Sequence, residues 1–130
     1  MGKLKSFVVV LSLAWAPAFA MSDGDAYHKV GDELIECGAY YLAASVQLER
    51  AGKMEDQQLL TNLARRALDL AQVYYPLVTL KAKLAAAQEA NGKILQEKGV
   101  KSLFDAYGEK CKQVMEHPGE RMNYWRDRNG

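Results

Sequence analysis

The side chains able to do chemistry are few: two cysteines and two histidines in 130 residues, with carboxylates scattered along the chain. Cys37 and Cys111 form no CxxC redox pair, haem-attachment CxxCH or thiolate metal cluster. A catalytic thiol needs an imidazole in reach, and His28 lies nine residues from Cys37, more than two helical turns away. Asp25 and His28 are three apart and could share a metal. A di-metal bundle, however, needs carboxylate-x-x-His on two helices and further carboxylates, and here the pair occurs once. His28, Asp32 and Glu36 form an i, i+4 ladder of the kind that faces water. Glu116-His117 suits a helix end, where histidine satisfies terminal carbonyls. No nucleophile elbow, phosphate loop or HExxH stretch is present. A non-enzymatic protein without catalytic, metal or cofactor site is expected.

Tyrosine is the unusual residue, with seven copies. Tyr41, Tyr74 and Tyr107 fall on apolar helical stripes, which suits ring packing with each hydroxyl at an edge. Tyr40 and Tyr75 lie a helical step away. Tyr40, Tyr41, Tyr74 and Tyr75, with Trp125, are the candidate surface for a ligand or partner.

The element that positions most of these residues runs from Tyr27 to Leu48. Tyr27, Val30, Leu34, Cys37, Tyr41, Ala44 and Leu48 recur at steps of three and four, one stripe of an α-helix. Asp25 favours its first turn, and Arg50 with Gly52 closes it, giving a helix over 23–51. A second helix starts near Met54, and Leu60, Leu63, Ala67, Leu70, Tyr74 and Leu77 continue the spacing. Arg65 and Asp69 suit an outer-face pair. Pro76 interrupts the pattern, but no Gly, Asn or Ser surrounds it and Leu77, Val78, Leu80 and Leu84 resume at once. That predicts a kink inside one helix, closed by Asn91-Gly92. Leu103, Phe104, Tyr107, Cys111, Val114 and Met115 mark a third helix, ended by Pro118-Gly119. Glu120 to Arg128 suits a short C-terminal helix whose Met122 and Trp125 fold back. The expected fold is all-α: an up-down-up bundle of three main helices, the second kinked at Pro76, plus that short helix. Tyr40-Tyr41 and Tyr74-Tyr75 are 34 residues apart, but no other marker of a helical repeat recurs at that period.

The first twenty residues differ from the rest. Lys3 and Lys5 precede the apolar run Phe7 to Ala16, and Ala18-Phe19-Ala20 supplies a small-x-small end. This is a signal-peptide pattern, expected to be cut after Ala20 and leaving residues 21–130 as a single helical domain. The apolar run is short for a membrane span, so no stable insertion is expected after cleavage. The compartment would be periplasmic or secreted. Without residues 1–20 the chain holds 15 basic and 16 acidic residues, which with no basic cluster argues against nucleic acid. Residues 21–60 hold eight acids and three bases, whereas 61–130 hold eight acids and twelve bases. The simplest use of that asymmetry is the first helix pairing with later ones.

Two cysteines in an exported chain predict one intramolecular disulfide. At about 1.5 Å per residue, an up-down-up bundle brings Cys37 and Cys111 to within roughly 6 Å in height, on parallel helices one and three. The stretch Glu36-Cys37-Gly38-Ala39-Tyr40-Tyr41, with Glu109-Lys110-Cys111, resembles small uncharacterised exported bacterial proteins. That resemblance implies export and no particular function. The expected function is a protein-interaction module of the envelope, such as an inhibitor, immunity-type or accessory subunit, acting on another envelope protein. The alternative is a carrier of small apolar ligands with a Tyr-lined cleft between helices one and two, and an enzyme ranks third.

Processing is testable directly. N-terminal sequencing of protein recovered from a soluble extracytoplasmic fraction should read from Met21. A chain beginning at Met1, or one held in the membrane pellet against salt and carbonate, would contradict the leader assignment.

Overall fold

The computed structural model describes residues 23–128, and the expected signal peptide lies outside them. The described chain forms α1 (Asp23–Arg50), α2 (Met54–Ala71), α3 (Leu77–Glu97), α4 (Val100–Glu116) and α5 (Pro118–Asp127). The all-α expectation holds. No helix among the described residues is long and apolar enough to cross a membrane.

α1 packs against each of the other four helices. Its stripe residues Val30, Leu34, Cys37, Tyr41 and Ala44 are all buried. So are Ala26, Ile35, Ala39 and Tyr40, which lie off the stripe. A helix with a single partner would leave those positions wet. α1 is instead the central rod, covered round most of its circumference.

α2 returns along α1 after a turn at Gly52, whose φ of 76° suits a residue without a Cβ. The two helices approach closely because both present small residues. Ala64, Ala67 and Ala71 are buried on α2, opposite Gly31 and Gly38 of α1. A Cβ at Gly31 would lie 2.6 Å from Tyr74 Cβ, and one at Gly38 would lie 2.5 Å from Leu68 Cδ2. Each glycine costs about 1 kcal/mol of helix propensity, and the gain is that contact. On the outer face Arg65 bonds Asn62 at 3.2 Å rather than Asp69.

The segment expected as one kinked helix is two helices joined by a reversal. Past Ala71 the helix tightens: the Gln72, Val73 and Tyr74 amides donate to the carbonyls three residues back. Pro76 then has no N–H to offer and sits extended, with φ −66° and ψ 155°. α3 runs back parallel to α1, with Lys83 3.0 Å from Asp32 near the start and Asn91 and Leu95 beside residues 39–50 further on. The up-down-up plan is therefore corrected to four main helices, up-down-up-down, followed by α5. α3 packs on α1 and α4 rather than folding back onto α2.

Asn91-Gly92 does not close this helix, which continues to Glu97. The stop lies at Gly99, with φ 94°, where the Lys98 and Gly99 amides both donate to the Ile94 carbonyl. α4 then descends antiparallel to α1, with Leu103, Cys111, Val114 and Met115 buried. It breaks at His117, and Pro118 opens α5, which continues down α1 until Trp125 reaches Lys29. Met122 and Trp125 pack against the core, as the sequence suggests.

Cys37 and Cys111 are joined, with Cα atoms 5.4 Å apart, and both are fully buried. The expected pairing holds, but the helices it links are antiparallel, not parallel. The reversal at Pro76 inverts α4 and still brings the cysteines level, since Cys37 lies thirteen residues below the end of α1 and Cys111 eleven into α4.

Loss of this crosslink should destabilise by about 2–5 kcal/mol. Urea unfolding of Cys37→Ser, Cys111→Ser and the double variant should give three similar losses, because all remove the same bond. Additive losses would contradict a shared crosslink.

Candidate functional site

The three carboxylates in the middle of α1, Asp32, Glu33 and Glu36, are engaged across the bundle. Glu33 is only 5% exposed, and a charge so buried is tolerable only when paired. Arg121 of α5 supplies the partner: Nε and Nη2 donate to the two carboxylate oxygens at 3.0 and 2.5 Å. The guanidinium lies 4.2 Å from the Tyr124 ring centroid. Hydrogen bonding to Glu33 raises the Arg121 pKa against the opposing effect of burial. Glu36 pairs with Lys110 of α4 at 3.1 Å. Asp32 accepts from Tyr75 at 2.8 Å and pairs with Lys83 of α3 at 3.0 Å. Burial, then the bond to Asp32, pushes the Tyr75 hydroxyl far above its usual range.

The His28–Asp32–Glu36 ladder thus does not simply face water. Asp32 and Glu36 tie α1 to α3 and α4, while the His28 ring stacks on Tyr75 at 5.0 Å. The acid-rich first helix meets the base-rich later ones, as the charge asymmetry suggests. His117 Nδ1 lies 3.8 Å from Glu120, at the α4–α5 break. Among the described residues, no three His, Cys, Asp or Glu side chains converge as metal ligands would.

The candidate aromatic residues do not form one surface. Tyr40 and Tyr41 are 8% and 7% exposed, and burial raises both hydroxyl pKa values. Tyr40 packs on Tyr107 and edge-on to Phe104, joining α1 to α4. Tyr74 lies against Tyr27 at 4.5 Å, near the start of α1. Trp125 sits on α5 beside Tyr124. These rings serve three separate helix contacts.

Two clefts open between α1 and α3. One, of about 350 Å3, lies beside Asp32, Glu36, Lys83 and Tyr107. The other, of about 310 Å3, is lined by Ala39, Leu42, Val46, Asn91 and Leu95 among others. Tyr40, Tyr41, Tyr74 and Tyr75 line neither.

A feature that apolar spacing concealed lies at the α2–α3 reversal. Val73, Leu77 and Val78 are 65%, 52% and 77% exposed, although Leu77 continues the core spacing of α2. The Tyr27 hydroxyl donates to the Val73 carbonyl at 2.7 Å and holds this tip to α1. The clue was Pro76, which biases the residue before it away from helix and so frees the following residues from the α2 stripe.

No family model matches this chain, and no curated protein or solved structure matches it either.

The Glu33–Arg121 pair carries a stability prediction. Glu33→Ala or Arg121→Ala leaves one charge buried without its partner and should cost about 3–5 kcal/mol. Replacing both, as Glu33→Leu with Arg121→Met, should recover most of that loss in urea unfolding. Additive single losses would show that the two charges do not depend on each other.

Proposed function

We propose that this is an exported, non-enzymatic protein-interaction module of the cell envelope, binding another envelope protein through the tip at the α2–α3 reversal. The observation that carries the reading is the exposed apolar set Val73, Leu77 and Val78. Apolar side chains clustered at a bundle's end have no role in its own core, and such patches mark partner surfaces. The tip is also preorganised: Pro76 fixes one backbone angle and Tyr27 holds the Val73 carbonyl. Rigid presentation lowers the ordering cost of association. Asp32, Glu33, Glu36 and Tyr75 are engaged in helix-to-helix contacts, which favours binding over catalysis. The signal-type leader and the buried disulfide support a periplasmic or secreted location.

A photo-crosslinking side chain at position 78 should give one discrete heavier species in intact cells. Val73→Ser with Leu77→Ser should abolish that species while changing stability by no more than about 0.5 kcal/mol each, as for other surface positions. Absence of an adduct, or equal adducts with and without those substitutions, would overturn the reading. Sedimentation of the purified protein with phospholipid vesicles, dependent on the same residues, would assign the tip to a lipid surface instead.

A further inference from the structure

The second α1–α3 cleft contains a side chain that the fold does not explain. Asn91 is 2% exposed, and neither Nδ2 nor Oδ1 has a hydrogen-bond partner. A buried polar group left unpaired loses its bonds to water and gains nothing in return, so it destabilises the fold. Asparagine is also a weak helix former, so leucine at this mid-helix position would serve the bundle better on both counts. Most of the lining is apolar, with Ala39, Leu42, Ala43 and Val46 on α1 and Leu95 on α3, and Gln47 and Gln88 are the other uncharged polar side chains there. Arg50 lines the same cleft, exposed and in no ion pair of the described structure. The space, about 310 Å3, equals roughly ten water volumes.

Three kinds of occupant suit a mostly apolar cleft with a cation in its lining, and the Asn91 amide separates them. An acyl chain could place its carboxylate on Arg50, but it would leave the amide unpaired. A partner helix has its backbone groups bonded internally and would do the same. An extended peptide offers one residue's N–H and C=O side by side, as strands do in pairing. That donor–acceptor pair matches the oxygen and nitrogen of a carboxamide.

We propose that this cleft binds the carboxy-terminal end of an extended peptide with small apolar side chains. Asn91 pairs with one backbone N–H and C=O, and Arg50 takes the terminal carboxylate. The amide is closed to water in the unbound chain, so entry requires side chains lining the cleft to move aside. α3 permits this, because Leu80 and Asn91 are its only buried residues and Ile94 and Leu95, which pack on the core from its upper half, are only partly buried. The inference rests on the interaction-module reading only for the source of the peptide. The cleft lies at the far end of the bundle from the Val73–Val78 tip, so peptide binding and crosslinking at position 78 fail separately.

The test is titration of the purified, oxidised protein with the capped tetrapeptide acetyl-Ala-Val-Ala-Val bearing a free carboxylate, followed by nitrogen-resolved NMR. The Asn91 side-chain amide and the backbone signals of 39–50 and 88–95 should shift. Amidating the peptide's carboxyl terminus should weaken binding by about ten-fold or more, as should Arg50→Gln. Asn91→Leu should abolish binding while keeping or raising the unfolding midpoint. Should that variant not fold, Arg50→Gln at its exposed position still gives the decisive comparison. No shift at millimolar peptide would overturn the proposal, as would equal binding by Asn91→Leu. Dodecanoate displacing the peptide and binding Asn91→Leu equally well would assign the cleft to acyl chains.

Discussion

A helix enclosed by other helices has no wet face on which to leave its polar side chains. Between Val30 and Ser45 α1 is in that position, while Lys29 and Arg50 on its end turns stay exposed, and much of the structure follows from that enclosed middle. Each fully buried aliphatic side chain on it, such as Val30, Leu34 or Ile35, contributes about 1.5–3 kcal/mol by leaving water. Its carboxylates gain nothing from the same burial and must be matched. Glu33 is matched by Arg121, and the less buried Asp32 and Glu36 by Lys83 and Lys110. The three pairs fall on α5, α3 and α4, so every later helix except α2 brings α1 a cation. α2 needs none, because it meets α1 through Ala64, Ala67 and Ala71 against two glycines.

The disulfide and the ion pairs lie in one register. Cys37 follows Glu36 on α1, and Lys110 precedes Cys111 on α4, so the covalent bond and the Glu36–Lys110 bridge fix the same antiparallel alignment. Arg121 extends it past the break at His117. A slip of α4 by one turn would move Lys110 away from Glu36 and stretch the crosslink together. Local pairs that agree in this way narrow the packings open to the chain.

What was legible in the sequence was local. The α1 stripe, the start at Met54, the α4 stripe and the small C-terminal helix all follow from spacing and caps. The Cys37–Cys111 pairing was also legible, although its path was not. Two errors share a cause, since a one-dimensional pattern does not record direction. Leu77 and Val78 continue an apolar run, which reads as an unbroken helix, yet they continue it into water. Asn91-Gly92 reads as a stop because its composition is that of a C-cap, while α1 beside it keeps the helix going to Glu97. The aromatic surface was illegible for another reason. Tyr40, Tyr75 and Trp125 lie on different contacts, and their distribution depends on the reversal at Pro76 that the pattern concealed.

The local rules fail in two places, and both are away from the crosslinked middle of the bundle. Val73, Leu77 and Val78 violate the preference for polar residues at an exposed tip, and Asn91 violates the requirement that buried polar groups be paired. Neither departure sits in the tightly coupled part of the molecule, around Glu33, Cys37 and Arg121. Both lie on α3 or on the turn that leads into it. α3 gives the core little for its length, with Leu80 and the polar Asn91 its two buried residues in twenty-one, and of the five described helices only α5, with none, gives less. α3 still packs on α1, but the Val73–Val78 tip and Asn91 add nothing to that packing. A chain under selection for folding alone would have placed leucine at 91 and polar residues at 73 and 78. That it does not is the physical ground on which both proposed recognition surfaces rest, since the charged pairs on α1 are accounted for by the packing of the helices.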